Sequence, residues 1–184
     1  MNTKFELTTE TKTVFGKTLF RIRALVDLSF VKKGDLGGFV EKEENLYAYG
    51  DAWVSGNAQV SGNAWVYGNA QVYGNAQVYG DAWVYGNAQV YGDARVSGNA
   101  WVSGNAQVYG DAQIIWISKV GSENGTLTGF KDKNGNIILT RGCFIGSVEE
   151  FQNAVAKRHG TGDVAKEYQL CIELIKLRLS GEKS

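Results

Sequence analysis

Valine returns at every sixth residue from Val54 to Val108, and an alanine stands two positions before each, from Ala52 to Ala106. Ala112 and Ile114 carry the pattern one step further. A Gly-Asn or Gly-Asp pair precedes every alanine, so one unit reads Gly-Asn-Ala-x-Val-x. A fixed period of this kind decides architecture before local preferences are weighed.

Within one unit, Ala and Val alternate with outward residues, which gives a short strand with a period of two. The Gly-Asn or Gly-Asp pair then supplies a corner, where positive φ is cheap. Strands this short, with no partner of opposite direction, cannot build a hairpin meander. They bury Ala and Val by stacking one coil on the next, with backbone hydrogen bonds between coils. The sequence therefore predicts a β-solenoid. Leu46 and Ala48 read as a worn first copy.

Tryptophan sets the coil length. Trp65, Trp83 and Trp101 recur at intervals of 18, whereas a coil of 12 would have placed tryptophan where Gln77 stands. Three strands per coil are expected, and folding by 18 sorts the outward residues into three faces. The first carries Trp53, Gln71, Gln89 and Gln107 beside Ser55, Tyr73, Tyr91 and Tyr109. The second carries Gln59, Gln77, Arg95 and Gln113 beside Ser61, Tyr79, Ser97 and Ile115. The third carries Trp65, Trp83 and Trp101 beside Tyr67, Tyr85 and Ser103. Adjacent coils lie roughly 4.8 Å apart, so each column is a ladder of touching side chains.

This array resembles the hexapeptide-repeat family. The resemblance implies a mainly β fold: a left-handed parallel β-helix of about four 18-residue coils. A right-handed helix with irregular coils stays open as the alternative. Over nearly the whole chain, "LFRIRAL", "KKGDLGGFVEKEENL", the GNAxVYG array, "RGCFIGSVEEF" and "AKEYQLCIELIKLRL" resemble a family of uncharacterised tailed-phage and prophage proteins. That likeness implies origin and architecture, not a reaction.

Three segments are expected: an N-terminal hairpin and lead-in over 1–45, the β-helix over 46–115, and an α+β cap over 116–184. "KTVFGKTLFRIRAL" reads as a hairpin turning near Gly16, with Phe20, Ile22 and Ala24 on one side and Leu19, Arg21, Arg23 and Leu25 on the other. Gly34, Gly37 and Gly38 precede neither a P-loop lysine nor a helix, so they read as turn and cap rather than a phosphate loop. After Ile114, two strands flank Asn134-Gly135, a tight-hairpin signal. Ser147 with Glu150 forms a capping box that opens a helix, and Gly160 closes it. A final helix over 164–179 carries Val164, Tyr168, Cys171, Ile172, Ile175 and Leu179 on one stripe, which Leu170, Leu174 and Leu177 widen.

The candidate interface lies on the third face. Five large aromatics there, each with about 150 to 250 Å² to bury, would form a patch approaching roughly 1000 Å². A lone soluble chain seldom leaves so much apolar surface bare. Three coverings are open: another subunit, a host or phage partner, or the chain's own ends. The plainer reading is a stiffening ladder of stacked rings. Trp65, Trp83, Trp101, Tyr67 and Tyr85 are therefore the leading interface residues, with Tyr73, Tyr91 and Tyr109 on the first face and Arg95 on the second. Corner asparagines can stack amide on amide. Asp93 and Asp111 are 18 apart, a like-charge pair best relieved by Arg95 rather than by a bound cation.

Catalysis is not expected, and no cofactor or metal site is read. The 184 residues hold one histidine, His159, at a helix end. Hexapeptide-repeat acyltransferases generally use a histidine on or beside the coils, and a three-histidine zinc site is out of reach. Cys143 and Cys171 show no paired spacing and read as reduced, buried small hydrophobes. Lys plus Arg equals Asp plus Glu at 19 each, with no basic stripe, which disfavours nucleic acid as a partner. No apolar run reaches the roughly 20 residues of a membrane span, and "MNTKFELTTETKTVFGK" lacks a signal-peptide core, so a cytoplasmic location in a host cell is expected.

These readings converge on a non-catalytic phage-type binding protein that self-associates through its aromatic face. By fold analogy the assembly is a trimer. Its partner would be a host protein or a small nucleotide signal of host defence. An acyltransferase is the alternative, and a virion or assembly component the third reading.

Overall fold

The computed structural model describes residues 2–110, 114–132 and 134–180. Every alanine from Ala52 to Ala106 and every valine from Val54 to Val108 is buried, so the inner positions read from the period form the core. The chain is a mainly β protein built on a β-solenoid of about four turns, with two helices at its C-terminal end.

In chain order the strands are β1 (Phe5–Val14), β2 (Lys17–Ala24) and β3 (Leu36–Val40), followed by ten of two residues each. Those ten are β4 (Trp53–Val54), β5 (Gln59–Val60), β6 (Trp65–Val66), β7 (Gln71–Val72), β8 (Gln77–Val78), β9 (Trp83–Val84), β10 (Gln89–Val90), β11 (Arg95–Val96), β12 (Trp101–Val102) and β13 (Gln107–Val108). The cap holds β14 (Ile114–Val120), β15 (Gly125–Lys131), β16 (Ile137–Arg141), β17 (Phe144–Ser147), α1 (Val148–His159) and α2 (Asp163–Leu179).

Three parallel sheets follow from the period of 18. The first face runs β4-β7-β10-β13, the second contains β5-β8-β11, and the third runs β6-β9-β12. Trp65 pairs with Trp83 and Trp83 with Trp101, so the columns drawn from the sequence are the columns of the fold. Corner amides add their own ladders. Asn57 donates to Asn75 at 3.4 Å, Asn75 to Asp93 at 3.1 Å, and Asn69 to Asn87 at 3.1 Å. Asp93 thus accepts an amide from the coil before it, whereas Asp111 and Gln113 lie outside the described residues.

The N-terminal segment joins the second face edge-on. β1 and β2 form the expected hairpin, β2 pairs with β3, and β3 runs parallel to β5 through Phe39–Gln59 and Val40–Val60. Gly37 and Gly38 are glycines because β3 lies against the first coil: an added Cβ would fall 2.6 Å from the carbonyl oxygens of Val54 and Ala58. Two details differ from the sequence reading. Leu46, not Ala48, takes the inner slot of the worn copy, bridging Val66 at an offset of 20. On β2, Leu19 is buried along with Ile22 and Ala24, while Phe20 is only half-buried, and β1 carries a register irregularity between Leu7 and Thr11.

Trp53 is the larger correction. Expected on the outside of the first face, it is 5% exposed and belongs to the core cluster that includes Phe5, Ile22 and Val31. Ala52 and Val54 keep the inner slots, and the N-terminal segment, with β3 beside β4, covers the outward Trp53.

At the other end, Ile114 is buried but does not head another coil. It opens β14, which pairs antiparallel with β15 as Ile114–Phe130. The four-stranded sheet β14-β15-β16-β17 and the two helices share a second core around Leu127, Leu139, Phe151, Tyr168, Ile172 and Ile175. Ser147 and Glu150 make the reciprocal capping box at the start of α1, and Gly160 caps its end. The expected stripe of α2 is buried from Tyr168 to Leu179, but Leu170, Leu174 and Leu177 stay exposed.

Candidate binding faces

The third face carries a continuous aromatic column. Trp83 and Trp101 stack with centroids 5.0 Å apart and planes within 7°, and Tyr67 stacks on Tyr85 at 4.9 Å and 3°. Trp65 continues the ladder at 5.7 Å from Trp83. These distances are the coil spacing itself, so the period of 18 makes the stacking unavoidable. Two further rings extend the column at its N-terminal end: Tyr47 lies 6.4 Å from Trp65, and Tyr49 lies 5.6 Å from Tyr47. Both stand 18 residues before Trp65 and Tyr67, a signal present in the sequence but hidden by the worn first copy.

Among the described residues the cap reaches the last coil of this face, where Ser103 beside Trp101 is buried, and the N-terminal part of the column is the exposed one. The hairpin extends the second face, and the cap sheet closes the end of the stack. Trp65, Tyr47 and Tyr49 are exposed, while Trp83, Trp101, Tyr67 and Tyr85 are half-buried by one another. The bare apolar patch is accordingly smaller than the sum of five free rings, because Trp83 lies between Trp65 and Trp101 and Tyr67 stacks on Tyr85. Tyr85 has Ser103, not a ring, in the next coil. What the face offers outward is a row of ring edges.

On the first face, Tyr73 stacks on Tyr91 at 4.9 Å and 7°, and Tyr91 meets Tyr109 at 5.1 Å in a tilted pair. Tyr109 is exposed at the top of the column. Burial, and then the phenol stacked above, push the ionisation of Tyr67 and Tyr73 up. Arg95 is exposed on the second face, in register with Gln77.

The cap brings together groups far apart in sequence. Cys143, His159, Arg141, Arg158 and Tyr168 line one depression of about 180 Å³. Arg158 is paired with Glu123 at 2.6 Å, and Arg141 donates through Nε to the Tyr168 hydroxyl at 3.1 Å. His159 ends α1, and its ring is 6.1 Å from that of Tyr168. Cys143 is exposed rather than buried, because it lies with Gly142 in the turn between β16 and β17. Cys171 is buried, and burial pushes its thiol up. Among the described residues, no three His, Cys, Asp or Glu side chains gather where they could hold a metal ion. No helix among them is long and apolar enough to cross a membrane.

Comparison with known proteins bears on the coils alone. The family model of the YdcK β-solenoid repeat matches residues 58–74, 70–86 and 88–104. No curated protein matches the chain. The chain is thus similar, over its array, to a family of β-solenoid repeats, in agreement with the parallel sheets of the fold.

Proposed function

We propose that this is a non-catalytic binding protein of phage type that self-associates through its third face, with Trp65, Trp83, Trp101, Tyr67 and Tyr85 in the contact. The observation that carries the reading is the unbroken aromatic column, extended by Tyr47 and Tyr49, in which Trp65, Tyr47 and Tyr49 are exposed. Tryptophan and tyrosine are the side chains that dominate buried contacts between proteins, since they bring large rigid area at small entropic cost. A homotrimer is the assembly that likeness to hexapeptide-repeat prisms favours. The role that fits such an assembly is capture of a host protein, or of a nucleotide signal held between subunits, in the cytoplasm of a host cell. Acyl transfer draws less support, because His159 ends α1 in the cap instead of standing on the coils.

The test is the mass of the assembly by light scattering. The parent chain is expected to be an oligomer and the Trp65→Ala variant to fall toward monomer with its circular dichroism unchanged. A monomeric parent, or an oligomer indifferent to both Trp65→Ala and Trp83→Ala, would overturn the reading.

A further inference from the structure

Tyr79 differs from every other tyrosine of the inner coils. Ser61 and Ser97 stand 18 residues before and after it, so its ring has no aromatic above or below and is 39% exposed. On the Ser61 side of Tyr79 a cleft of about 380 Å³ lies between the second face and the tip of the β1–β2 hairpin. Phe15 and Lys17 come from the hairpin, and Gln77, Tyr79, Asn63 and Asp81 from the coils.

Phe15 is the second observation. It is 94% exposed and has a φ of 48°, beside Gly16 at 77°, in the two-residue turn closed by the Val14–Lys17 pair. Such turns favour Asn-Gly, and positive φ is costly for a bulky residue. The ring gains nothing from the core at that exposure. What the strained turn does is present an aromatic to the cleft, opposite Tyr79. Broken local rules without a packing return mark functional positions.

The polar groups define the ligand. Asp81 accepts from the Asn63 amide at 3.1 Å and keeps acceptor capacity on its other oxygen. Gln77 and Asn63 offer both donors and acceptors. Lys17, the cation of the cleft, is matched by Glu41 at 2.8 Å, and Glu41 also accepts the Gly62 amide at 2.6 Å. Lys42 donates to Asn63 Oδ1 at 3.4 Å, and the Asp81 carboxylate would repel a phosphate. Two aromatic walls with an amide and carboxylate rim suit a ring that is apolar on its faces and hydroxylated at its edge.

We propose that this cleft binds a neutral saccharide unit, with its C–H faces against Phe15 and Tyr79 and its hydroxyls on Asp81, Gln77 and Asn63. The volume falls within the range of small-molecule sites. The site lies on the second face and does not rest on the self-association assigned to the third.

The experiment is a titration of the full chain, followed by amide NMR, with glucose, galactose, N-acetylglucosamine and lactose, and with adenosine and AMP as comparators. At least one sugar is expected to shift the amides of Gly16, Gly62 and Asp81. Phe15→Asn supplies a residue that accepts positive φ, so it should hold or raise the melting temperature while weakening sugar binding about tenfold. Tyr79→Ser introduces the residue already present above and below and should weaken binding by a similar factor. The proposal is overturned if none of the sugars moves these amides, if adenosine or AMP binds more tightly than every sugar, or if both variants bind as the parent does.

Discussion

Thr128 and Thr140 face each other across β15 and β16, and their two hydroxyls close the backbone of one residue, Trp101. Thr128 accepts from the Trp101 amide at 3.2 Å, and Thr140 donates to the Trp101 carbonyl at 2.9 Å. One coil earlier, the Trp83 amide donates to the Ala100 carbonyl at 2.9 Å. The threonine pair thus stands where a further coil would have supplied backbone partners, which is how the open edge of the third sheet is protected from pairing with another chain. Replacing both by valine keeps the shape and removes the partners of two buried groups. Each loss is expected to cost about 1 to 3 kcal/mol. Urea unfolding of the single and double variants measures this, and hydrogen exchange at the Trp101 amide should accelerate in Thr128→Val.

Trp53 and Trp65 are both tryptophans of the same repeat slot, yet they should fail differently. Trp53 is 5% exposed within the core, and its replacement by alanine should cost about 3 to 5 kcal/mol. Trp65 is 43% exposed, so Trp65→Ala should change stability less and assembly mass more. Denaturant unfolding and light scattering on the two variants separate the effects.

Lys4 gives the fold a pH signature. Its Nζ donates to the Tyr47 carbonyl at 2.9 Å from a buried position, and burial lowers its pKa from 10.5 to about 8, opposed by the charge of Asp51. The unfolded chain therefore holds this proton more tightly than the folded one between about pH 8 and 10.5. Stability attributable to Lys4 rises with pH through that window. The stability difference between the parent and Lys4→Met should change in the parent's favour from pH 8 to 10.5, as measured by denaturant midpoints. A flat difference would contradict the assignment.

Glycine is required at the corners for two reasons at once. Gly68 has a φ of 71°, and an added Cβ would sit 3.1 Å from the Gly86 nitrogen and 3.2 Å from its oxygen. Gly16 has a similar φ of 77° with nothing within 4 Å. Gly16→Ala should show the backbone strain alone, roughly 1 kcal/mol, and Gly68→Ala that strain plus a wedge between coils. The melting temperature of Gly68→Ala should be the lower of the two.

The interior of the array was legible because one inner pattern, repeated without interruption, admits one register. The columns followed from Trp65, Trp83 and Trp101, and so did the stacked rings. What could not be read were the ends, where distant segments decide. Trp53 is buried because the N-terminal segment lies against β4, and no residue near Trp53 announces that. Tyr47 keeps the spacing of 18 to Trp65 but was missed because its unit lacks the Gly-Asn-Ala-x-Val marks, with Leu46 and Ala48 where alanine and valine would stand. The Phe15–Tyr79 cleft needed the placement of the hairpin against the second face, while Ser61, which lines it, was in plain sight. Leu170, Leu174 and Leu177 fitted an apolar stripe, but α2 can dock only one side of itself on the cap sheet, and they lie on the other.

A period of 18 over three faces also fixes the angle between the two ends of the molecule. Removing residues 71–88 would bring Trp101 over Trp65, shorten the stack by one rise of roughly 4.8 Å, and leave both ends pointing as before. Removing 12 residues would instead turn the cap by one face relative to the hairpin. The protein is thus a graduated spacer, extensible in whole coils without altering what its ends present to each other.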